Sequence, residues 1–115
     1  MDWTYDAKVL KVVDGDTVDL ELDLGFKILH RARTRLFGIN TPEISSKDEA
    51  ESKAGILARE FLKGLCEGKP CTVVTQKDKG DKYGRYLVTL KLGELDVNAE
   101  LIRLGHAKAY FGGAR

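Results

Sequence analysis

The stretch "DAKVLKVVDGDTVDLELDL", residues 6–24, predicts a β-hairpin and sets the class of fold. Asp14-Gly15 between two strand-like runs is the strongest short-range hairpin signal that a sequence offers. The residues that follow, 18–24, alternate apolar and acidic side chains, which is the pattern of a strand with one solvated face. A third and longer strand is predicted over residues 27–39.

A helix is predicted between Ser46 and Gly64, because apolar residues there recur at spacings of three and four. Its start stays open. Ser46 with Glu49 could form a capping box, whereas Gly55 weakens a helix that begins so early. The apolar face consists of Ala54, Leu57, Ala58, Phe61, Leu62 and Leu65.

Two further strands and a short helix are predicted in the second half of the chain. The strands cover "CTVVTQ" (71–76) and "RYLVTLKL" (85–92), and Asp96 is the expected N-cap of a helix over 97–105 that ends at Gly105. Three strands, a helix, two strands and a helix do not alternate as a parallel α/β sheet does. They predict a small closed antiparallel β-barrel with helices, an α+β fold, with a five-stranded OB-fold as the leading candidate.

Length and composition place the chain among globular proteins. Its 115 residues have the size of one domain, so we expect a single domain over 1–115, and we expect a monomer that binds no membrane. Apolar residues make up 43% and charged residues 32%, which argues against disorder. No apolar run approaches a membrane span, and the first ten residues do not read as a signal peptide. These features predict a cytoplasmic location for the chain as given, or a secreted one if a signal has been removed.

The two cysteines, Cys66 and Cys71, flank "EGKP". We interpret them as two small, partly buried thiols, although a disulfide depends on Cα geometry that a sequence does not give. Zinc is disfavoured because neither His30 nor His106 lies at ligand spacing from them.

Charge is nearly balanced overall but uneven along the chain. The net charge is +1, while "KILHRARTR" (27–35) carries four bases and no acid. "QKDKGDKYGR" (76–85) carries four bases against two acids, and "EISSKDEAE" (43–51) carries one base against four acids. Such clusters are usually solvated faces, but two basic segments around an acidic one also fit a polyanion site.

Three stretches hold polar groups that a core does not need: "DGDT" (14–17), "RLFGINTPE" (35–43) and "DKYGRY" (81–86). Each alone is an ordinary turn or strand end. Together they supply hard oxygen ligands, two arginines and a further carboxylate. That set suits hydrolysis of a phosphodiester, in which cations stabilise the charge of the transition state and a carboxylate activates water.

"VVDGDTV", "RLFGINTPE" and "DKYGRYL", in this order and with these gaps, closely resemble the staphylococcal nuclease (thermonuclease) family. The likeness runs from about residue 6 to residue 110, and "VNAELIRLGHAK" (97–108) resembles the helix that follows in that family. The resemblance implies a five-stranded OB-fold with helices. It also implies calcium-dependent hydrolysis of DNA and RNA that leaves 3′-phosphates. We expect single strands to be favoured as substrate, and whether the enzyme cuts as an endonuclease or from the ends stays open.

The resemblance assigns roles to five positions. Asp16 matches the aspartate that gives its carboxylate to calcium, and Thr41 matches the residue that gives its backbone carbonyl. Glu43 matches the general base toward the attacking water. Arg35 and Arg85 match the two guanidiniums on the scissile phosphate, which arginine forks can bind bidentately.

Other positions are assigned less directly. Lys82 and Tyr83 fall where the family contacts a terminal phosphate or nucleotide, and Tyr110 or Phe111 could form an aromatic wall for a base. The acidic segment 44–53 is predicted to be a mobile loop beside the site.

Asn40 departs from the family pattern, because it replaces a second calcium-binding aspartate. An amide oxygen still binds calcium. We nevertheless expect an affinity lower by about tenfold to a hundredfold if the lost charge is worth roughly 1.4–2.7 kcal/mol.

Two other functions stay open. The chain could be a non-catalytic OB module that binds nucleic acid or a protein partner, or a structural domain whose polar clusters are solvated turns. The presence of Glu43 with both Arg35 and Arg85 favours the nuclease, since a pure binder has no use for a carboxylate that repels phosphate.

Overall fold

The hairpin predicted from residues 6–24 is present. The computed structural model describes residues 3–80 and 85–110, without the side chains of 76–80. Strand β1 (Trp3–Asp14) pairs antiparallel with β2 (Thr17–Asp23) around a turn at Gly15. Gly15 is required there, because a Cβ would lie 2.8 Å from the Ala58 Cβ and 3.0 Å from the Thr41 Cγ2.

The third strand is shorter than the predicted span of 27–39. Strand β3 (Leu29–Leu36) begins after a turn in which Gly25, Phe26 and Lys27 all have positive φ, so residue 27 belongs to the turn. The strand ends at Phe37-Gly38, where Gly38 has φ 80°, and the chain resumes as the short β4 (Ile39–Asn40). The polar residues therefore follow a break in the strand.

Helix α1 (Glu49–Cys66) begins later than Ser46, and its N-cap is Asp48. The Asp48 carboxylate accepts a hydrogen bond from the Ala50 N–H at 3.0 Å, whereas the Ser46 hydroxyl accepts from the Asp48 N–H at 3.1 Å. The capping box at Ser46 was therefore wrong. The predicted loop over 44–53 was wrong for residues 49–53, which are helical.

The second half follows the predicted order. Strand β5 (Pro70–Gly80) is longer than expected, and β6 (Tyr86–Leu92) and a short β7 (Leu95–Asp96) follow it. Helix α2 (Val97–Arg103) has Asp96 as its N-cap, and the stop at Gly105 uses a φ of 81°. Strand β8 (Lys108–Ala109) then pairs with β4.

The five long strands close into a barrel. Their order is β3-β2-β1-β5-β6, and the parallel pairing of β3 with β6 at Thr34 and Tyr86 joins the two edges. With two helices packed on it, this is the predicted five-stranded OB-fold. Side chains without solvent exposure form the core, among them Val9, Val18, Leu20, Leu36, Leu62, Val73, Val88, Leu90 and Leu101.

Both cysteines are buried in the structure and carry free thiols. The Cys66 thiol at the end of α1 donates to the Leu62 carbonyl oxygen at 3.2 Å. In the described part of the chain, no helix is long and apolar enough to cross a membrane.

Candidate active site

The closed barrel brings the ends of three strands together. Asp16 and Thr17 lie at the start of β2, Arg35 lies near the end of β3, and Arg85 directly precedes β6. Thr17 is paired with Arg35 across β2 and β3, and Arg35 with Leu87 across β3 and β6. Residues remote in sequence thus meet at one edge of the barrel because of its closure.

Asp16 is the centre of a hydrogen-bond network at this edge. Its Oδ2 accepts from the Thr41 N–H at 3.2 Å and lies 3.5 Å from the Arg35 Nη2. Its Oδ1 accepts from the Thr17 hydroxyl at 3.1 Å. Asp16 therefore joins the β1–β2 turn to the end of β3 and to the segment after β4.

Arg35 is the most enclosed charge in this group. Its side chain is 9% exposed and that of Asp16 is 13% exposed, so both need partners within the protein. The Nη2 group donates to the Asn40 Oδ1 at 3.1 Å, and the guanidinium carbon lies 5.7 Å from the centre of the Tyr110 ring. The carboxylate, the amide and the ring together fix the plane of the guanidinium.

Arg85 joins the same network through Thr17. Its Nη1 group donates to the Thr17 hydroxyl oxygen at 3.4 Å, and that hydroxyl in turn donates to Asp16. Both arginines are therefore oriented about the Asp16 carboxylate, Arg35 directly and Arg85 through one hydroxyl group.

Glu43 is a solvent-exposed residue that lies close to this group along the chain. Its side chain is exposed, and it follows the buried Thr41 by two residues. An exposed carboxylate is accessible to water and can accept a proton from it.

A further carboxylate belongs to this edge of the barrel. Burial raises the pKa of Asp14, and the neighbouring Asp16 and Glu43 raise it further, while Arg59 and Arg85 act in the opposite direction. The place of Asp14 in the β1–β2 turn does not by itself predict a role in the site. Its electrostatic neighbours include the acidic residues of the site.

The donors at this edge fit a calcium ion by their chemistry. The Asp16 carboxylate, the Asn40 amide oxygen and the Thr41 carbonyl are all hard oxygen ligands. No group of three or more His, Cys, Asp or Glu side chains gathers as a metal site among the described residues. A calcium ion here would therefore need carbonyl, amide and water oxygens beside its carboxylate, which calcium accepts.

Most of the predicted site residues lie together. Asp16, Arg35, Asn40 and Thr41 are joined by hydrogen bonds, and Arg85 is joined to them through Thr17. Lys82, Tyr83 and Phe111 lie outside the described residues.

Two further residues join the site in the structure. Of the two aromatic candidates, Tyr110 makes a cation–π contact with Arg35. Thr17 was missed because a threonine in a tight turn carries no functional signal of its own.

Comparison with known proteins identifies the family of the chain. The model of the family described as staphylococcal nuclease homologue matches residues 33–114. The chain belongs to this family. The matched region contains Arg35, Glu43 and Arg85, and it excludes the turn that carries Asp16.

Three similar proteins each match about nine tenths of the chain. An uncharacterized protein of Methanocaldococcus jannaschii is 30% identical over 92% of the chain. One of Bacillus anthracis is 34% identical over 90%, and the thermonuclease of Staphylococcus hyicus is 30% identical over 90%. The chain spans 59%, 46% and 59% of these proteins, so it corresponds to about half of each.

Proposed function

We propose that this member of the staphylococcal nuclease family is a calcium-dependent endonuclease that hydrolyses single-stranded DNA and RNA and leaves 3′-phosphates. The observation that carries the proposal is the network about Asp16. It holds Arg35 directly and Arg85 through Thr17. The exposed Glu43 follows Thr41, a member of the same network, by two residues.

The guanidiniums of Arg35 and Arg85, both held about the Asp16 carboxylate, suit hydrolysis of a phosphodiester better than mere binding of nucleic acid. Arg35 and Arg85 would bind the non-bridging oxygens of the phosphate and stabilise the charge that develops on them in the transition state. Since the arginines are already held by Asp16, Asn40 and Thr17, little reorganisation is needed when substrate binds.

Glu43 would act as the general base. It would take a proton from the attacking water, whose oxygen forms a bond to phosphorus while the bond from phosphorus to the 5′ oxygen breaks. The departing 5′ oxygen takes a proton from solvent, so the products are a 3′-phosphate and a 5′-hydroxyl.

Asp16, Asn40 and Thr41 would hold the calcium ion. When bound, the ion would supply positive charge beside the phosphate. Asp14 adds negative charge to the surroundings of that site.

The test is degradation of an internally labelled single-stranded oligonucleotide, with calcium and again with a chelator. Product ends should be identified by mass, and Glu43→Gln should be run beside the wild type. We expect calcium-dependent cutting that yields 3′-phosphates, and a loss of about 10²–10⁴-fold in kcat in the variant, as for removal of a general base.

The same experiment tests the non-catalytic alternative. If the folded protein retards the oligonucleotide in a gel but does not cut it at millimolar calcium, the chain is a binding module. Equal turnover by wild type and Glu43→Gln would remove Glu43 from the mechanism.

A further inference from the structure

We propose that one edge of helix α1, formed by Glu51, Ser52 and Gly55, positions the general base Glu43 for catalysis. This inference rests on the proposed nuclease function. The three residues lie in the first two turns of the helix and all contact the segment 42–44. They would be positioning residues, since they would act through Glu43 and not on the substrate.

The first contact is to the backbone of Glu43 itself. Its N–H donates to the Glu51 Oε2 at 3.1 Å. A hydrogen bond to an ionised acceptor is stronger than a neutral one. Although the Glu43 side chain is exposed, its main chain is tied to the helix.

The second contact holds the next residue. The Ser52 hydroxyl donates to the Ile44 carbonyl oxygen at 2.7 Å, and Ser52 is partly buried. The backbone of Glu43 and that of Ile44 are therefore each hydrogen-bonded to one of two adjacent residues in the first turn of α1.

The third contact is a close approach of two backbones. A Cβ on Gly55 would lie 2.6 Å from the Pro42 carbonyl oxygen and 3.0 Å from the Ile44 nitrogen. Both neighbours are backbone atoms, so no side chain can move aside to make room. Only glycine allows the helix to come this near to the segment that carries Glu43.

These contacts explain a glycine that helix propensity disfavours. Glycine within a helix is less favourable than alanine. Gly64 provides a comparison in the same helix, because a Cβ there would meet nothing within 4 Å. Alanine should therefore be tolerated at 64 but should displace segment 42–44 when introduced at 55.

The first experiment compares Gly55→Ala with Gly64→Ala, using kcat, KM and thermal unfolding. For Gly55→Ala we expect kcat to fall by about 100-fold with KM nearly unchanged, because a misplacement of about 1 Å can cost that much. Gly64→Ala should keep wild-type kcat and melt at the same or a higher temperature. A Gly55→Ala variant with wild-type kcat would overturn the proposal.

A double-mutant cycle separates positioning from general damage to the fold. In a Glu43→Gln background, Gly55→Ala should cause no further loss of kcat if it acts only through Glu43. A further loss of similar size in that background would show that Gly55 has a merely structural role and would overturn the proposal.

Two substitutions at Glu51 test the hydrogen bond if Gly55→Ala does not fold. Glu51→Gln keeps an acceptor for the Glu43 N–H and should retain most of the wild-type kcat. Glu51→Ala removes the acceptor, so its kcat should fall well below that of wild type. Equal activity in Glu51→Ala and wild type would contradict the proposal.

Solvent exchange of the Glu43 amide proton, followed by NMR, provides a readout that does not need catalysis. Exchange should be several-fold faster in Glu51→Ala than in wild type and unchanged in Gly64→Ala. If the wild type is inactive but shows this pattern, the nuclease function is refuted, while the hydrogen bond from the Glu43 N–H to Glu51 is supported. An active wild type whose exchange rate does not respond to Glu51→Ala would refute the positioning alone.

Discussion

At the scale of single residues, the pairing of Arg35 with Asn40 bears most on the site. Arg35 and Asp16 are both largely buried and their charges balance, so a neutral residue at 40 leaves the pair close to zero net charge. An aspartate there would make the group negative until a metal bound. Asn40 is therefore expected to weaken calcium binding but to lessen the repulsion of phosphate when the ion is absent.

Arg35→Lys should abolish most activity while it preserves charge. A lysine ammonium cannot bridge Asp16 and Asn40 and also present a fork to phosphate. We expect kcat to fall by about 10²–10³-fold, the usual cost of losing one preorganised donor. Arg33→Lys is the matched control on the same strand, since Arg33 pairs with Asp19 on the exposed face. Equal kcat values for the two variants would contradict the role of Arg35.

Asn40→Asp should tighten calcium binding by about 10- to 100-fold, since the new charge is expected to be worth roughly 1.4–2.7 kcal/mol. Isothermal titration with calcium measures the change directly. Thr4→Asp, on an exposed part of β1, adds the same charge away from the site and should have little effect. If both substitutions change the affinity equally, residue 40 is not a ligand.

At the scale of secondary-structure elements, Asn98 ties helix α2 to strand β6 and to Phe37, which directly follows β3. Its Oδ1 accepts from the Leu90 N–H at 3.1 Å. Its Nδ2 donates to the carbonyl oxygens of Phe37 at 2.9 Å and of Val88 at 3.0 Å. The residue is 5% exposed, so water cannot replace these bonds without a local opening.

Asn98→Ala should lower the free energy of unfolding by about 2–4 kcal/mol, because it removes three hydrogen bonds to backbone groups in a buried place. Urea denaturation measures the loss. Asp96→Ala removes an N-cap bond at the start of the same helix and should cost only about 1 kcal/mol. A cost for Asn98→Ala no larger than that of Asp96→Ala would show that its three bonds are not important for stability.

The elements that sequence predicted best are those whose signals are local. The Asp14-Gly15 turn and the Asp96 cap depend on neighbouring residues alone, and both were confirmed. The start of β3 was not predictable, because Phe26 and Lys27 adopt positive φ although their side chains do not favour it. Asp48 is the N-cap of α1, and the Ser46 hydroxyl instead accepts a hydrogen bond from the Asp48 N–H. The sequence alone does not show which of the two side chains caps the helix.

At the scale of the whole molecule, barrel closure limits how much of the candidate site can be predicted from the sequence. The motifs identified Asp16, Arg35 and Arg85, but their connection through Thr17 depends on β2, β3 and β6 meeting at one edge. Pairing between strands so distant in sequence leaves no periodic signal in either one. Close approaches such as that of Gly15 to Ala58 are equally invisible in a sequence.

The two buried thiols should make the stability of the molecule fall in alkaline solution. Burial raises the pKa of Cys66 from 9.0 to about 12 and that of Cys71 to about 11, and the nearby Cys71 and Glu67 add to the rise at Cys66. Above pH 9 the unfolded chain loses these protons while the folded chain keeps them. The stability contribution is therefore complete below about pH 9 and is lost as pH rises through about 11 to 12.

Urea unfolding at a series of pH values from 8 to 11 tests this, with Cys66→Ala/Cys71→Ala as the comparison. The double variant should be less stable at neutral pH, because a cavity replaces two buried side chains. Its stability should nevertheless fall less steeply above pH 9, since tyrosines and lysines titrate in both proteins and only the thiols differ. Parallel stability curves for the two proteins would mean that the thiols titrate alike in the folded and unfolded chains.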